Sequence, residues 1–283
     1  MLARLLESVR RNAPGVDLLV VDSASGDGRT RQVAEAAGVS FLRVDRPGLS
    51  IARNAGIRAV ETDVVVFTDD DCVVTDDWTR PLVGWFTDAR VGVVTGEMVG
   101  EDADPDARAA GQPRRSLRTV EGLDLGHGAN MAFRREAVLD VGGFDENLGA
   151  GMPLAGAEDL DMFCRLLHAG WTGVRDPRSA VVHAHTREGT DYVRLMRGYA
   201  RGSGAALVKM VRLDRAVGLT MTTVVLRRLA RRLLSSPASR GGRRASVASA
   251  RGLLEGAVAG ARLPVADGVF VAGALVPAAA GSA

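Results

Sequence analysis

Lysine is almost missing from this chain of 283 residues, where Lys209 is the single example among 36 basic side chains. That scarcity argues against any chemistry in which a lysine in a glycine-rich loop grips a triphosphate. Lys209 lies far along the chain from every candidate loop of that kind. Cysteine is scarce too: Cys72 and Cys164 have neither a Cys-x-x-Cys nor a zinc spacing, and two cysteines make no disulfide framework. Both read as small buried apolar residues in a reducing, cytoplasmic setting. No run reaches the ~20 apolar residues of a membrane-spanning helix. The stretch 264–283 comes nearest, but Asp267 and Pro277 interrupt it. The segment 1–11 is amphipathic and lacks the apolar core of a secretion signal.

What is present fits a globular chain. Hydrophobic residues make up 46% and charged residues 25%, which is ordinary, and the length suits one large domain or a domain with an appendage. The net charge of +2 says nothing about nucleic acid, and no nucleic-acid partner is expected. Its distribution is more telling: carboxylates concentrate before Asp161, and arginine dominates the last third. Strand signals at 17–22, 39–44, 63–67 and 91–97 alternate with helix signals at 29–37, 49–60 and 78–86. That alternation predicts an α/β fold with a mostly parallel sheet covered by helices on both faces. Residues 101–118 read as a mobile loop, 127–133 as a further strand, 134–140 as a short helix and 180–182 as another strand. The spacing of Leu160, Phe163, Cys164 and Leu167 predicts a helix over 158–169. Beyond it, 191–213 and 219–234 read as helices, and 235–283 as an arginine-containing linker and a partly disordered Ala/Gly-rich remainder.

Three segments carry candidate chemistry. The run Asp69-Asp70-Asp71 ends the β-branched stretch Val64-Val65-Val66-Phe67-Thr68. Ligands bind beyond the carboxyl ends of strands in open α/β sheets, and hard divalent cations share carboxylates with substrate phosphates. A metal beside a phosphorylated ligand and a charged helix-capping turn both suit that run. Asp22 ends another strand before the small polar loop Ser23-Ala24-Ser25-Gly26-Asp27-Gly28, where turn chemistry alone would suffice. Arg53 and Asn54 lie in a helix opened by Gly48, a setting suited equally to a diphosphate and to a structural cation.

In order, VVDSASGDGRT, GLSIARNAGI, VVVFTDDDC, GHGANMAFRRE, VGGFDENLGAG, GAEDLDMFCRLLHAGW and AVVHAH resemble the inverting nucleotide-sugar glycosyltransferases of family 2. The resemblance runs from about Leu2 to about Gly204. It implies a GT-A-type fold and transfer of a sugar from a nucleoside-diphosphate sugar to an acceptor hydroxyl of a glycan, lipid or small molecule. Such transfer would serve cell-surface polysaccharide, glycolipid or secondary-metabolite glycosylation. By the same resemblance, Asp22 contacts the base, and Arg53 and Asn54 the nucleotide or its phosphates. Asp69 lies near the ribose, Asp70 between the ligating positions, and Asp71 binds Mn²⁺ or Mg²⁺. His183 matches a further metal ligand, with His185 the alternative. Asn130 is expected to hydrogen-bond the donor sugar. Asp159, with Glu158 as runner-up, matches the general base, while helix-dipole compensation explains the same pair without catalysis. Asp161 on the next turn reads as structural.

The resemblance divides the chain into a GT-A domain over 1–189, an arginine-rich helical extension over 190–235 and a low-complexity tail over 236–283. Arg197 and Arg201 are candidates to close over the diphosphate. The helix at 219–234 suits peripheral contact with an anionic membrane, a solvated surface or an oligomer contact, and the oligomeric state is left open. Relatives begin with an apolar strand and a turn ahead of the helix that matches 2–11. This chain begins inside that helix, so a later-than-natural start lacking roughly ten to fifteen residues is expected. A GT-A-like binding or interaction protein with impaired catalysis is the alternative that this departure raises.

Overall fold

The computed structural model describes residues 1–101, 111–183, 188–235 and 240–271. In chain order the elements are α1 (Leu2–Asn12), β1 (Leu19–Ser23), α2 (Arg29–Ala36), β2 (Ser40–Val44), α3 (Leu49–Ala59), β3 (Val64–Thr68), β4 (Cys72–Val74) and α4 (Thr79–Val83). There follow β5 (Val91–Gly100), β6 (Arg114–Ser116), β7 (Asn130–Arg134), α5 (Arg135–Asp140), α6 (Glu158–His168) and β8 (Thr172–His183). The chain ends in α7 (Gly189–Leu213), α8 (Arg215–Ser235), α9 (Arg240–Arg262), β9 (Val265–Ala266) and β10 (Val269–Phe270).

The described residues form two compact units. The first comprises Met1–Pro47, Ile51–Gly143 and Met162–Thr186; the second comprises Gly48–Ser50, Phe144–Asp161 and Arg187–Ala283.

In the first unit, β1 and β2 pair in parallel as a two-stranded sheet. A larger sheet runs β3-β7-β5-β8-β4, with β6 also on β8. This sheet is mixed, not mostly parallel: β5–β8 is its parallel pair, and β3–β7, β5–β7, β4–β8 and β6–β8 are antiparallel. The β-branched run Val64-Val65-Val66 favours an extended backbone, as expected, but it pairs with a strand of opposite direction. Within the segment expected to be a loop, 114–116 is a strand, and 102–110 lies outside the described residues.

One apolar cluster packs Leu82, Phe86, Val91, Val94, Ala132 and Val174 together. A second joins α1 to β4 through Leu5, Val9, Cys72, Val74, Trp78 and Val181. Two polar side chains of α1 complete that contact. The Ser8 hydroxyl accepts from the Val74 N–H at 3.1 Å, and the Asn12 amide donates to the Val74 carbonyl at 2.8 Å. The N–H and the carbonyl of Val74, in the last strand of the sheet, thereby both have partners in α1.

In the second unit α7 packs against α9 along a ridge of glycines. Gly252, Gly256 and Gly260 recur every fourth residue, so they share one face. A Cβ on Gly252 would meet the Arg197 carbonyl at 2.2 Å, and one on Gly256 the Arg201 carbonyl at 1.8 Å. The backbones therefore touch where other helices would interpose side chains. This is the physical reason why 240–262 is an ordered helix and not part of a low-complexity tail. Arg197 forms a two-pronged pair with Glu255 of α9, at 2.6 and 3.0 Å, so it is engaged within this helix pair. A β-hairpin closes the unit. Its turn places Asp267 at φ 50° and Gly268 at φ 80°, the left-handed geometry that tight hairpins require.

Candidate functional site

The acidic run lies where β3 gives way to β4. The Cys72 N–H donates to the Asp69 carbonyl at 3.1 Å, which closes a tight turn over the three aspartates. Strand pairing then sets the partner of Asp71. Cys72 is opposite His183 in the antiparallel β4–β8 ladder, and His183 Nε2 lies 3.2 Å from Asp71 Oδ2. Two residues 112 positions apart are thus joined by register. His185 lies outside the described residues. Asp70, at the tip of the turn, is exposed.

Arg53 organises the first carboxylate. It is buried at 5% exposure, and its Nη2 donates to Asp69 Oδ1 at 3.3 Å and to the Gly128 carbonyl at 3.2 Å. Asn54, the next residue of α3, is also buried, and Gly143 makes room for it. A Cβ on Gly143, whose φ is +79°, would lie 2.8 Å from Asn54 Oδ1. The buried thiol of Cys72 is pushed up to about 12 by burial and by the carboxylates of Asp69 and Asp71.

Asp22, the penultimate residue of β1, is nearly inaccessible, at 3% exposure. Burial pushes its carboxyl up. Hydrogen bonds from Ser25, whose N–H donates at 3.1 Å, and the Arg43 guanidinium outweigh that push and leave it below the usual range. Arg43 is the β2 residue beside Asp22 in the parallel pairing, and sequence reading missed it. Its signal was the β1–β2 register.

Asn130 is the first residue of β7. It is fully buried, and Gly96 leaves it space: a Cβ there would lie 2.1 Å from its Nδ2. The Trp78 indole N–H donates to Asn130 Oδ1 at 2.9 Å. Asn130 Nδ2 donates to the Glu97 carbonyl at 3.1 Å and the Ser179 carbonyl at 3.3 Å. Every polar atom of the amide is used to tie β5, β7 and β8 together.

The acidic start of α6 belongs to the second unit as far as Asp161. Ala157 precedes it at φ +62°. The three carboxylates of this first turn differ in environment. Glu158 is buried at 7% exposure, with its carboxyl 3.3 Å from the Cβ position of Gly149, and Asp161 is buried at 2%. Asp159 is half-buried and accepts from the Leu160 N–H at 2.7 Å. Of the three, Asp159 is the one open to solvent, which a proton acceptor for an incoming hydroxyl needs.

Asp161 instead faces Lys209, which is 0% exposed, at 2.8 Å, and Asp145 contacts the same ammonium. The Asp145 carboxylate also accepts from the Phe270 and Asn147 N–H groups, at 2.8 and 3.0 Å. The Phe270 ring centroid lies 4.9 Å from Nζ. The chain's one lysine therefore binds α6, α7, the Phe144–Asn147 turn and β10 into one polar knot. Composition hinted at Lys209 by its rarity, but not at its partners.

A carboxylate and an imidazole 3.2 Å apart form a donor pair suited to Mn²⁺, with Mg²⁺ favouring a purely oxygen set. Among the described residues no group of three or more His, Cys, Asp or Glu side chains is positioned to hold an ion. Asp71 and His183 thus fit a cation that takes its remaining ligands from water or phosphate.

The profile of "Glycosyl transferase family 2" matches residues 1–142, and that of "Glycosyl transferase family group 2" matches 122–254. The pre-mycofactocin glycosyltransferase of Mycobacterium tuberculosis is 30% identical over 219 residues, which is 73% of this chain and 44% of that protein. The chain therefore spans less than half the length of this curated relative. Among solved structures, the mannosyltransferase PcManGT of Pyrobaculum calidifontis, in complex with GDP-Man and Mn²⁺, superposes with TM-score 0.61 at 20% identity. It covers 92% of this chain and 83% of its own. GalNAc-T7 with UDP, GalNAc and Mn²⁺ gives 0.52 at 19% identity over 71% of this chain and 44% of its own. These likenesses show the GT-A fold expected from the sequence. With the family profile covering half of its length, the chain belongs to glycosyl transferase family 2.

Proposed function

We propose that the chain is a metal-dependent, inverting glycosyltransferase that uses a nucleoside-diphosphate sugar. The observation that carries this reading is the pairing of Asp71 with His183 beside Asp69, itself held by the buried Arg53. Family membership supports it, as do the Mn²⁺ and nucleotide in the two structures just described. Asp71 and His183 hold the cation, and Asp69 with Arg53 takes the ribose and phosphate side of the donor. Asp22 takes the base through a carboxylate kept ionised by Ser25 and Arg43.

Bound Mn²⁺ or Mg²⁺ would neutralise charge on the leaving diphosphate as a Lewis acid. Asp159 accepts the proton of the acceptor hydroxyl as that oxygen bonds to the anomeric carbon. The bond from that carbon to the diphosphate oxygen breaks on the opposite face, and its electron pair leaves with the nucleotide. Direct displacement inverts the anomeric centre. Glu158, buried against Gly149, shapes the start of the helix.

The test has two stages. Stability is measured with Mn²⁺ plus UDP, GDP or dTDP sugars, because a bound ligand at 100 times its Kd adds about 2.7 kcal/mol. Asp71→Ala is expected to abolish metal-dependent stabilisation by the matching nucleotide. Asp159→Asn is expected to retain it while transfer falls ~10²–10⁴-fold. Absence of metal-dependent binding across all three nucleotide classes overturns the reading, and loss of both properties in Asp159→Asn reassigns that residue.

A further inference from the structure

We propose that the exposed leucine arc of α8, flanked by its arginines, docks on an anionic lipid bilayer. Helix α8 holds five arginines and no carboxylate, in a chain that balances 36 basic against 34 acidic residues. The basic charge is segregated along α8. At 3.6 residues per turn, Leu219, Leu226, Leu229, Leu233 and Leu234 fall within an arc of roughly 140°. Arg227, Arg228, Arg231 and Arg232 fill the opposite arc.

The leucine arc is left open. Leu226 is 50% exposed, Leu233 39% and Leu234 88%, although side chains of this kind are normally buried. Buried Gly218 and Met221 mark the packed side of α8, where a Cβ on Gly218 would meet Val211 of α7 at 2.4 Å. On α9, Val247, Leu254 and Val258 form a second exposed apolar stripe at helical spacing.

Apolar residues on one arc and cations on the other describe a helix lying in a bilayer interface, with arginines reaching phosphate headgroups around its edge. No described helix is long and apolar enough to cross a membrane, so the geometry points to surface attachment. Charge decides between a bilayer and a second copy of the chain. Pairing two such surfaces would bring two sets of like charge together, whereas an anionic bilayer complements the arginines of α8. The surface is independent of the donor site, so it can fail while the transferase reading stands.

Cosedimentation of the full chain with vesicles tests the proposal. Phosphatidylcholine vesicles containing phosphatidylglycerol should bind it at least ~tenfold more strongly than phosphatidylcholine alone, and raising the salt from about 0.1 to 0.5 M should weaken binding. Two variants separate the contributions: Leu226→Ser/Leu233→Ser/Leu234→Ser, and Arg227→Gln/Arg228→Gln/Arg231→Gln/Arg232→Gln. Each should lose binding at least ~tenfold with an unchanged far-UV circular dichroism spectrum. Absent or charge-independent binding overturns the proposal, and so does wild-type binding by the leucine variant. A concentration-dependent dimer abolished by the leucine changes, without vesicle binding, would make a second copy the occupant. Tighter binding of nucleic acid that displaces the vesicles would overturn it as well.

Discussion

Replacing Lys209 by methionine keeps a long unbranched side chain and removes one charge. In the folded chain the ammonium is inaccessible and lies between Asp145 and Asp161. Asp145 keeps two N–H donors after the change, from Asn147 and Phe270. Asp161 loses an ion pair at 2.8 Å while remaining 2% exposed. Breaking a buried pair by removing one partner costs about 3–5 kcal/mol, because the other charge remains in a poorly solvated place. Adding Asp161→Asn should recover part of that loss, with a coupling of at least ~1 kcal/mol between the two positions. Denaturation by urea reads both values as a lower midpoint at unchanged slope. The two units can be followed separately. Trp78, Trp85 and Trp171 all belong to the first unit, whereas α7, α8 and α9 belong to the second. The far-UV transition should therefore shift more than the tryptophan transition. A loss below ~1 kcal/mol in Lys209→Met, or a double variant no more stable than the single one, would refute the reasoning.

Two further predictions concern the scaffold. Gly256→Ala places a methyl group where a Cβ lies 1.8 Å from the Arg201 carbonyl, so α7 and α9 must separate. A loss of about 1–3 kcal/mol is expected in the far-UV transition, against little change for Gly84→Ala, whose Cβ meets nothing within 4 Å. Equal stability of Gly256→Ala and the parent would exclude close backbone packing there. Glu121 caps the short helix Thr119–Asp124: its carboxylate accepts the Leu117 and Arg118 N–H groups, which hold it down at about 2 against an ordinary 4.5. A carboxyl depressed on folding stabilises the fold above its unfolded value and loses that effect as pH falls through the folded one. The stability difference between the parent and Glu121→Gln should be constant near neutrality and shrink between about pH 4.5 and 2. A difference indifferent to pH would count against this cap.

Legibility of the fold followed the range of the forces involved. The strand at 64–68 and the helix at 158–168 were readable because β-branched runs and apolar spacing act locally. The direction of pairing was not, since Val64-Val65-Val66 has the same propensity beside a parallel or an antiparallel neighbour. Helix α9 was misread for a related reason. Glycine every fourth residue disfavours an isolated helix, and only contact with the α7 backbone offsets that cost. At the candidate site, Asp71 and His183 were accessible through family resemblance, whereas the amide of Asn130 suits a sugar and a strand junction equally until Trp78 and Ser179 are placed beside it. The Asp267-Gly268 turn carried a legible hairpin signal, hidden by the Ala- and Gly-rich composition around it.

The engagement of Val74 by Ser8 and Asn12 has a consequence for how the larger sheet can grow. A strand with unsatisfied outward groups is a template on which another extended chain can polymerise. At β4 that template is spoken for by an amphipathic helix of the same chain. Growth at this end would first require α1 to peel away, taking Leu5 and Val9 out of their apolar contacts with Val74 and Trp78. The first helix is therefore a chain terminator for the sheet at its β4 end.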